Sequence, residues 1–143
     1  MHPKRILRMV LDLIYELPIL EKPFPRCPFA TQPLATSRTY MELHTKALSK
    51  DDRQISQFES QTGYSLDKEF WSELALHTQV VIKNSPLNFF HGRVLYSTLM
   101  KFINNRNSKT NSPLIILETG TARGFSSLCM AKALTISNQS GVV

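Results

Sequence analysis

The chain has 143 residues, of which 42% are hydrophobic and 20% are charged, a composition typical of a globular domain and not of a disordered chain. Its formal net charge of +6 comes from scattered basic residues, so no nucleic-acid interface is predicted. No apolar run approaches the roughly 18 residues that a membrane span requires. Two distant cysteines, Cys27 and Cys129, form neither a disulfide framework nor a metal-ligand cluster, which favours reduced thiols and a cytoplasmic location.

The first region, residues 1–36, is predicted to be a helix followed by a proline-rich arm. Apolar residues at helical spacing over residues 6–17 favour a docking helix over a membrane-surface helix. Asp12 and Glu16 interrupt the apolar stretch, and no small-residue cleavage site follows, which argues against a signal peptide. The prolines of residues 18–33 predict an extended arm that favours association with a neighbouring surface.

The second region, residues 37–112, is predicted to be helical. A weak helix covers residues 40–48. Ser49 and Asp52 then resemble a capping box that opens another helix, and Gly63 is a plausible stop signal for it.

Two further helices are expected in this region. Ser65 is predicted to cap the first, in which five residues recur at helical spacing and form an apolar stripe: Leu66, Phe70, Leu74, His77 and Val81. His77 and the neighbouring Trp71 are therefore expected in the core. After the break at Pro86, a helix over residues 90–105 is predicted to bury one side, made of Leu95, Leu99, Phe102 and Ile103.

The third region, residues 113–143, changes character. The apolar run at residues 114–117 predicts a strand buried on both faces of a parallel sheet. A glycine-containing loop over residues 118–124, a helix over 125–134, a turn over 138–141 and a strand beginning at Val142 follow. This order is the start of an α/β unit.

The glycine loop carries the chemistry. Gly120 lies at a sharp strand-to-helix turn, and Gly124 lies at the mouth of the helix, where backbone N–H groups and a partial positive charge favour an anion. Glu118, at the carboxyl end of the strand, is predicted to face the same crevice and to accept hydrogen bonds from an ammonium group or a hydroxyl. A ligand with one ammonium and one carboxylate suits both groups.

The segment over residues 114–126, Leu-Ile-Ile-Leu-Glu-Thr-Gly-Thr-Ala-Arg-Gly-Phe-Ser, resembles the first motif of class I S-adenosylmethionine-dependent methyltransferases. It is similar to the branch that includes sugar and antibiotic O-methyltransferases, in which a helical segment precedes the motif. The resemblance implies an α/β fold in which a helical N-terminal region is followed by the first strand, loop and helix of a Rossmann-like sheet.

The resemblance also implies S-adenosylmethionine as cofactor and a hydroxyl of a sugar or small molecule as methyl acceptor. By position, Glu118, Gly120 and Gly124 would border the methionine part of the cofactor, with Thr119 in the same loop. Thr121 or Ser126 would hydrogen-bond the cofactor carboxylate. The catalytic residue is not identified, and no metal ligands are predicted.

Two other interpretations of the loop stay open. A dinucleotide site more often has the pattern G-x-G-x-x-G, and Thr121 stands here where that pattern has its middle glycine. The third interpretation is a glycine turn between a buried strand and helix, with no ligand.

A complete cofactor site needs an acidic residue on the second strand, roughly 20 residues past the loop. That position falls beyond Val143, so the chain is expected to be an N-terminal fragment that is inactive alone and binds the cofactor weakly or not at all. The alternative is a non-catalytic helical module that pairs with a complementing chain or a second copy.

The histidines and Cys129 are predicted to have structural roles and no functional one. The four histidines form no metal-ligand spacing. His91 is expected to be a helix-start residue, and it would line the cleft only if its helix packs near the glycine loop. Cys129 is expected to be a small buried hydrophobic residue.

Overall fold

The computed structural model describes residues 33–106 and 112–143. The predicted helix over residues 6–17, most of the proline-rich arm and Cys27 lie outside the described residues. Within the described ranges, four helices precede a small sheet of two parallel strands, which are connected through a fifth helix. In chain order the elements are α1 (Ser37–Leu48), α2 (Arg53–Thr62), α3 (Lys68–Thr78), α4 (Phe90–Asn105), β1 (Leu114–Ile115), α5 (Phe125–Ile136) and β2 (Gly141–Val142). The expected α/β class is confirmed at this level.

The predicted capping box at Ser49 and Asp52 is wrong. Ser49 ends α1, where its backbone N–H donates to the carbonyl of Thr45 at 3.0 Å. Asp52 precedes α2 but makes no side-chain capping bond, because its carboxylate is paired with Arg93 at 2.5 Å. The predicted stop at Gly63 is confirmed, since this residue ends α2 in the left-handed region with φ of 82°.

The predicted cap at Ser65 is also wrong. Asp67 is the N-cap of α3, and its Oδ1 accepts a hydrogen bond from the backbone N–H of Phe70 at 2.8 Å. Similarly, α1 begins three residues earlier than predicted, with Thr36 as its N-cap. Ser, Thr and Asp are all good caps, so the sequence alone did not select between neighbouring candidates.

The core is centred on the contact between α4 and α5. Phe125, Cys129 and Ala133 follow one another at helical spacing along α5, and each is at most 1% exposed. They pack against Gly92 and the following turns of α4, and the absence of a side chain at Gly92 allows the close approach. A Cβ atom there would lie 2.6 Å from Cε1 of Phe125 and 2.7 Å from Sγ of Cys129.

The buried side of α4 differs from the predicted one. Phe102 is 53% exposed, and Leu95, Leu99 and Ile103 are only partly buried. The buried residues are instead Gly92, Arg93, Tyr96, Ser97 and Met100. Apolarity was a poor guide because a glycine and an arginine occupy the face that contacts α5 and α2.

An ion-pair network connects α4 to α2. Arg93 is 6% exposed and contacts Glu59 through two parallel hydrogen bonds, of 3.0 Å from Nε and 2.5 Å from Nη2. Its third nitrogen, Nη1, pairs with Asp52. The guanidinium also lies 5.5 Å from the ring centroid of Trp71, which confirms that this tryptophan is a core residue. Asp52 is therefore only partly exposed and is held by an ion pair with Arg93.

His77 lies on the surface, so its predicted place in the core is wrong. It lies in the last turn of α3, where a basic side chain is favoured by the helix dipole. Among the described residues, no helix is long and apolar enough to cross a membrane.

The two strands are shorter and more exposed than predicted. β1 pairs with β2 in parallel, with Leu114 opposite Gly141 and Ile115 opposite Val142. Ile115, Leu117 and Val142 lie on one face of the sheet and are 83%, 89% and 59% exposed. Within the described residues, the segment over 114–117 is thus uncovered on one face, and the prediction that it is buried on both faces is wrong.

Candidate functional site

The glycine loop forms a tight turn between β1 and the first turn of α5. Gly120 and Gly124 have φ of 79° and 81°, and Ala122 between them has φ of 51°. The N–H of Gly124 donates to the carbonyl of Thr121 at 2.8 Å, which closes the turn. Apart from the glycines themselves and their chain neighbours, no described atom lies within 4 Å of the position that a Cβ would take on either glycine, so the loop backbone is open to a ligand.

Glu118 lies over the beginning of α5. Its two carboxylate oxygens accept hydrogen bonds from the hydroxyls of Ser126 and Ser127. These bonds, together with weaker contributions from Thr121 and His91, hold the pKa of Glu118 below its ordinary value. The group is therefore a carboxylate at neutral pH, next to the positive end of a helix dipole.

The structure brings most of the predicted site residues together. Glu118 and Ser126 are in contact, and Gly120, Thr121 and Gly124 shape the loop between them. Thr119 is exposed in the same loop. The hydroxyl of Ser126 donates to Glu118, so within this structure it supports the carboxylate and does not point its hydrogen at a ligand carboxylate.

The N-terminus of α5 offers backbone donors beside Glu118. Gly124 is the N-cap residue and contributes no side-chain capping bond. The first backbone N–H groups of an α-helix have no partner within the helix, so they require an external acceptor or solvent. A negative group is favoured at this point by both hydrogen bonding and the helix dipole.

His91 is a neighbour of the glycine loop that was not among the predicted site residues. It lies in the first turn of α4, and its ring contacts the ring of Phe125 edge-on, with 4.9 Å between centroids. Partial burial lowers the pKa of His91, whereas the negative charge of Glu118 raises it by a smaller amount. The imidazole is therefore neutral at pH 7 and able to accept a proton.

A weak signal for this placement is present in the sequence. A glycine inside an otherwise helical pattern often marks close packing of a second element. Gly92, next to His91, is such a residue, and it brings the beginning of α4 against the beginning of α5. The helix that carries His91 therefore packs near the glycine loop, which was the condition for His91 to approach it.

Cys129 has the predicted character of a buried hydrophobic residue. Its side chain is fully buried in the α4–α5 contact, and burial raises the pKa of its thiol to about 12. It is therefore not a nucleophile of this site. No group of histidine, cysteine and acidic side chains suited to a metal ion occurs among residues 33–106 and 112–143.

Comparison with known proteins does not assign the chain to a family. No family model, no curated protein sequence and no solved structure matches it.

Proposed function

We propose that this chain carries the cofactor-binding loop of a class I S-adenosylmethionine-dependent methyltransferase that methylates a hydroxyl of a sugar or small molecule. The observation that carries the proposal is the pairing of Glu118 with an uncapped helix N-terminus across an open glycine loop. One group is an anion and the other attracts anions. A ligand end that carries both an ammonium and a carboxylate complements the pair.

The Glu118 carboxylate retains capacity for an ammonium group. A carboxylate has about four acceptor positions on its two oxygens. The hydroxyls of Ser126 and Ser127 use one position on each oxygen. The remaining positions suit the amino group of the cofactor, and the lowered pKa keeps the charge that attracts it.

The beginning of α5 suits the carboxylate of the same ligand end. The left-handed backbone at Gly124 directs the chain into the helix without placing a side chain over the first N–H groups. Gly120 leaves the opposite side of the loop open in the same way. A ligand carboxylate can therefore approach the backbone to hydrogen-bond distance.

The surrounding topology supports a Rossmann-like arrangement. The two parallel strands are connected through α5, and the loop lies at the carboxyl end of the first strand, where ligands of open α/β sheets bind. When bound, S-adenosylmethionine supplies an electrophilic methyl group. The described residues contribute the positioning of its amino-acid end, and His91 lies near enough to the loop to influence Glu118.

The uncovered sheet face favours a second candidate function. Ile115, Leu117 and Val142 form an exposed apolar group that a partner strand or helix would bury. A non-catalytic module that pairs with a complementing chain or a second copy would use this face. Light scattering over a range of concentrations measures the molar mass and so tests this second function. A pairing module should form a dimer or a mixed complex, and Ile115→Lys should abolish it.

Photo-crosslinking to methyl-labelled S-adenosylmethionine tests the methyltransferase proposal. The chain should be labelled within residues 118–128, and excess S-adenosylhomocysteine should compete. Glu118→Gln should reduce labelling roughly 10- to 100-fold, because it removes a charge-assisted hydrogen bond of roughly 1.5–3 kcal/mol. Glu73→Gln makes the same isosteric change at an exposed carboxylate on α3, outside the glycine loop, and should have no effect.

Two results would contradict the proposal. One is labelling that competes equally well with a nicotinamide dinucleotide, which would favour a general nucleotide site. The other is labelling that Glu118→Gln and Glu73→Gln reduce to the same extent, which would remove the assigned role of the Glu118 charge.

A further inference from the structure

One face of the two-stranded sheet is uncovered within the described residues. It carries Ile115, Leu117 and Val142, which are 83%, 89% and 59% exposed, whereas Leu114 and Ile116, on the opposite face, are partly buried. We call it the open sheet face. Parallel sheets are normally covered by helices on both faces, and two short strands are only marginally stable without such packing. The open sheet face therefore needs a covering element.

The open sheet face is uncharged as well as apolar. No charged residue occurs over residues 112–117 or 139–143, although the chain as a whole has a net charge of +6. An element that packs there is held by burial of apolar surface and not by ion pairs. The covering element must therefore present an apolar side of its own.

The sequence over residues 6–17, which lies outside the described residues, predicts such an element. Its three charged residues, Arg8, Asp12 and Glu16, are four apart and therefore share one narrow stripe of a helix. The other nine residues are aliphatic, methionine or tyrosine. A helix that is apolar over most of its circumference is normally buried. Its length of about 18 Å exceeds the roughly 13 Å of the segment over residues 114–117, so it is long enough to cover that segment.

The connection between this stretch and the described part of the chain is long enough for such packing. Fifteen residues, 18–32, separate Leu17 from Pro33, the first described residue. At about 3.3–3.6 Å per residue, an extended chain of this length reaches about 50 Å. A domain of about 100 residues has a radius of gyration of about 13 Å, so either face of the sheet is within reach.

A second copy of the chain is a poorer occupant of the open sheet face. The face presents three large exposed side chains, whereas a stable interface takes roughly 20–30 residues from each partner. A tethered segment has an effective concentration in about the millimolar range, so a small apolar face is enough to hold it. The size of the face thus favours a segment of the same chain.

We propose that residues 6–17 form a helix that packs on Ile115, Leu117 and Val142 and covers the open sheet face. The charged stripe of this helix faces solvent, and the proline-rich stretch over residues 18–33 connects it to α1. The inference does not rest on the proposed methyltransferase. It competes with the second candidate function, because a pairing module needs the same face for its partner.

Paramagnetic relaxation measured by NMR on the 143-residue chain tests the proposal. A nitroxide is attached at Glu16→Cys, on the charged stripe, in a Cys27→Ser background, and Cys129 is fully buried and stays unlabelled. The amide signals of the three residues on the open sheet face should broaden more strongly than that of Met41, an exposed apolar residue on α1. A mixture of nitroxide-labelled chain with ¹⁵N-labelled chain that lacks the nitroxide should show no broadening, because the contact is within one chain.

A matched pair of variants tests which side of the segment packs. Ile116 donates its backbone N–H to the carbonyl of Val142 at 2.9 Å, so the hydrogen exchange of this amide reports the stability of the sheet. Leu13→Gln, on the apolar side, should speed this exchange about tenfold or more, because it removes most of the burial of one leucine. Arg8→Gln introduces the same side chain on the charged stripe and should leave the exchange unchanged.

Four results would overturn the proposal. Stronger broadening at Met41 than on the open sheet face would place the segment on another surface, and absence of broadening at both would show that the segment does not cover the sheet. Broadening in the mixed sample would identify a second copy as the occupant. Equal effects of Leu13→Gln and Arg8→Gln would remove the assigned packing side. Broadening of the open sheet face in a chain that fails to bind S-adenosylmethionine would support this inference and contradict only the proposed function.

Discussion

Gly92→Ala adds one methyl group, and the sign of the resulting change in the free energy of unfolding distinguishes a gain in helix propensity from a steric clash. In an open helix, alanine in place of glycine stabilises by about 0.8–1 kcal/mol through backbone entropy. In this structure the added methyl would lie 2.6 Å from Cε1 of Phe125 and 2.7 Å from Sγ of Cys129. Ordinary carbon contacts are about 3.5–4.0 Å, so both overlaps are close to 1 Å.

The neighbours of Gly92 have little room to move. Phe125 is 1% exposed and Cys129 is 0% exposed, so neither side chain can turn into solvent. Overpacking a closed core typically costs about 1–3 kcal/mol. We take the upper end because two buried groups are struck at once. After subtraction of the helix-propensity gain, the variant should lose about 2 kcal/mol.

Urea unfolding followed by the fluorescence of the single tryptophan, the buried Trp71, measures the loss. The pair Thr98→Gly and Thr98→Ala, at an exposed position of the same helix, gives the propensity difference between glycine and alanine without the steric contact. Cys129→Ala should cost less in the Gly92→Ala background than alone, because it removes one overlapping atom. Stabilisation of Gly92→Ala by about 1 kcal/mol, equal to the difference between the two Thr98 variants, would refute the close α4–α5 contact.

Three further predictions concern the core and the loop. Arg93→Met should destabilise the chain by about 3–5 kcal/mol in urea unfolding, since it leaves a buried carboxylate unpaired, and the double variant with Glu59→Met should recover part of the loss. In a Cys27→Ser background, Cys129 should react with a thiol reagent at about pH 8 only on unfolding, because burial raises the pKa of its thiol to about 12. Rapid labelling of the native chain would show instead that the α4–α5 contact is open. The folded-state pKa of Glu118 lies below its ordinary value, so its stabilising effect is present above the ordinary glutamate pKa of about 4.3 and is lost as the pH falls through the lower value. The urea midpoint of the wild type should thus exceed that of Glu118→Gln at neutral pH and converge with it in acid, and a constant difference would contradict the predicted shift.

Local sequence signals predicted the elements of this fold better than they predicted its buried surfaces. Helical periodicity and the stop signal at Gly63 located the helices, and the glycine loop was correctly placed between a strand and α5. The buried face of α4 was not predictable in the same way. Arg93 is buried only because Glu59 and Asp52, distant in sequence, meet it in space.

In the candidate site, too, residues that are close in sequence were predictable, whereas a residue that joins through packing was not. The loop residues from Glu118 to Ser126 are neighbours in sequence, so a motif was enough to group them. His91 is separated from them by a helix and joins the site through the packing of Gly92 against α5. Periodicity also placed His77 in the core, although its position in the last turn of α3 leaves it exposed.

Residue-resolved NMR titration with S-adenosylmethionine is the most direct test of the central proposal. The backbone amides of Gly120, Gly124 and Ser126 should shift saturably at millimolar cofactor, and S-adenosylhomocysteine should shift the same amides because it carries the same amino-acid end. Adenosine, which lacks the ammonium and the carboxylate, should leave them unchanged. Equal shifts with adenosine, or no shift of the loop amides with either cofactor form, would contradict the assignment of the glycine loop to the amino-acid end of S-adenosylmethionine.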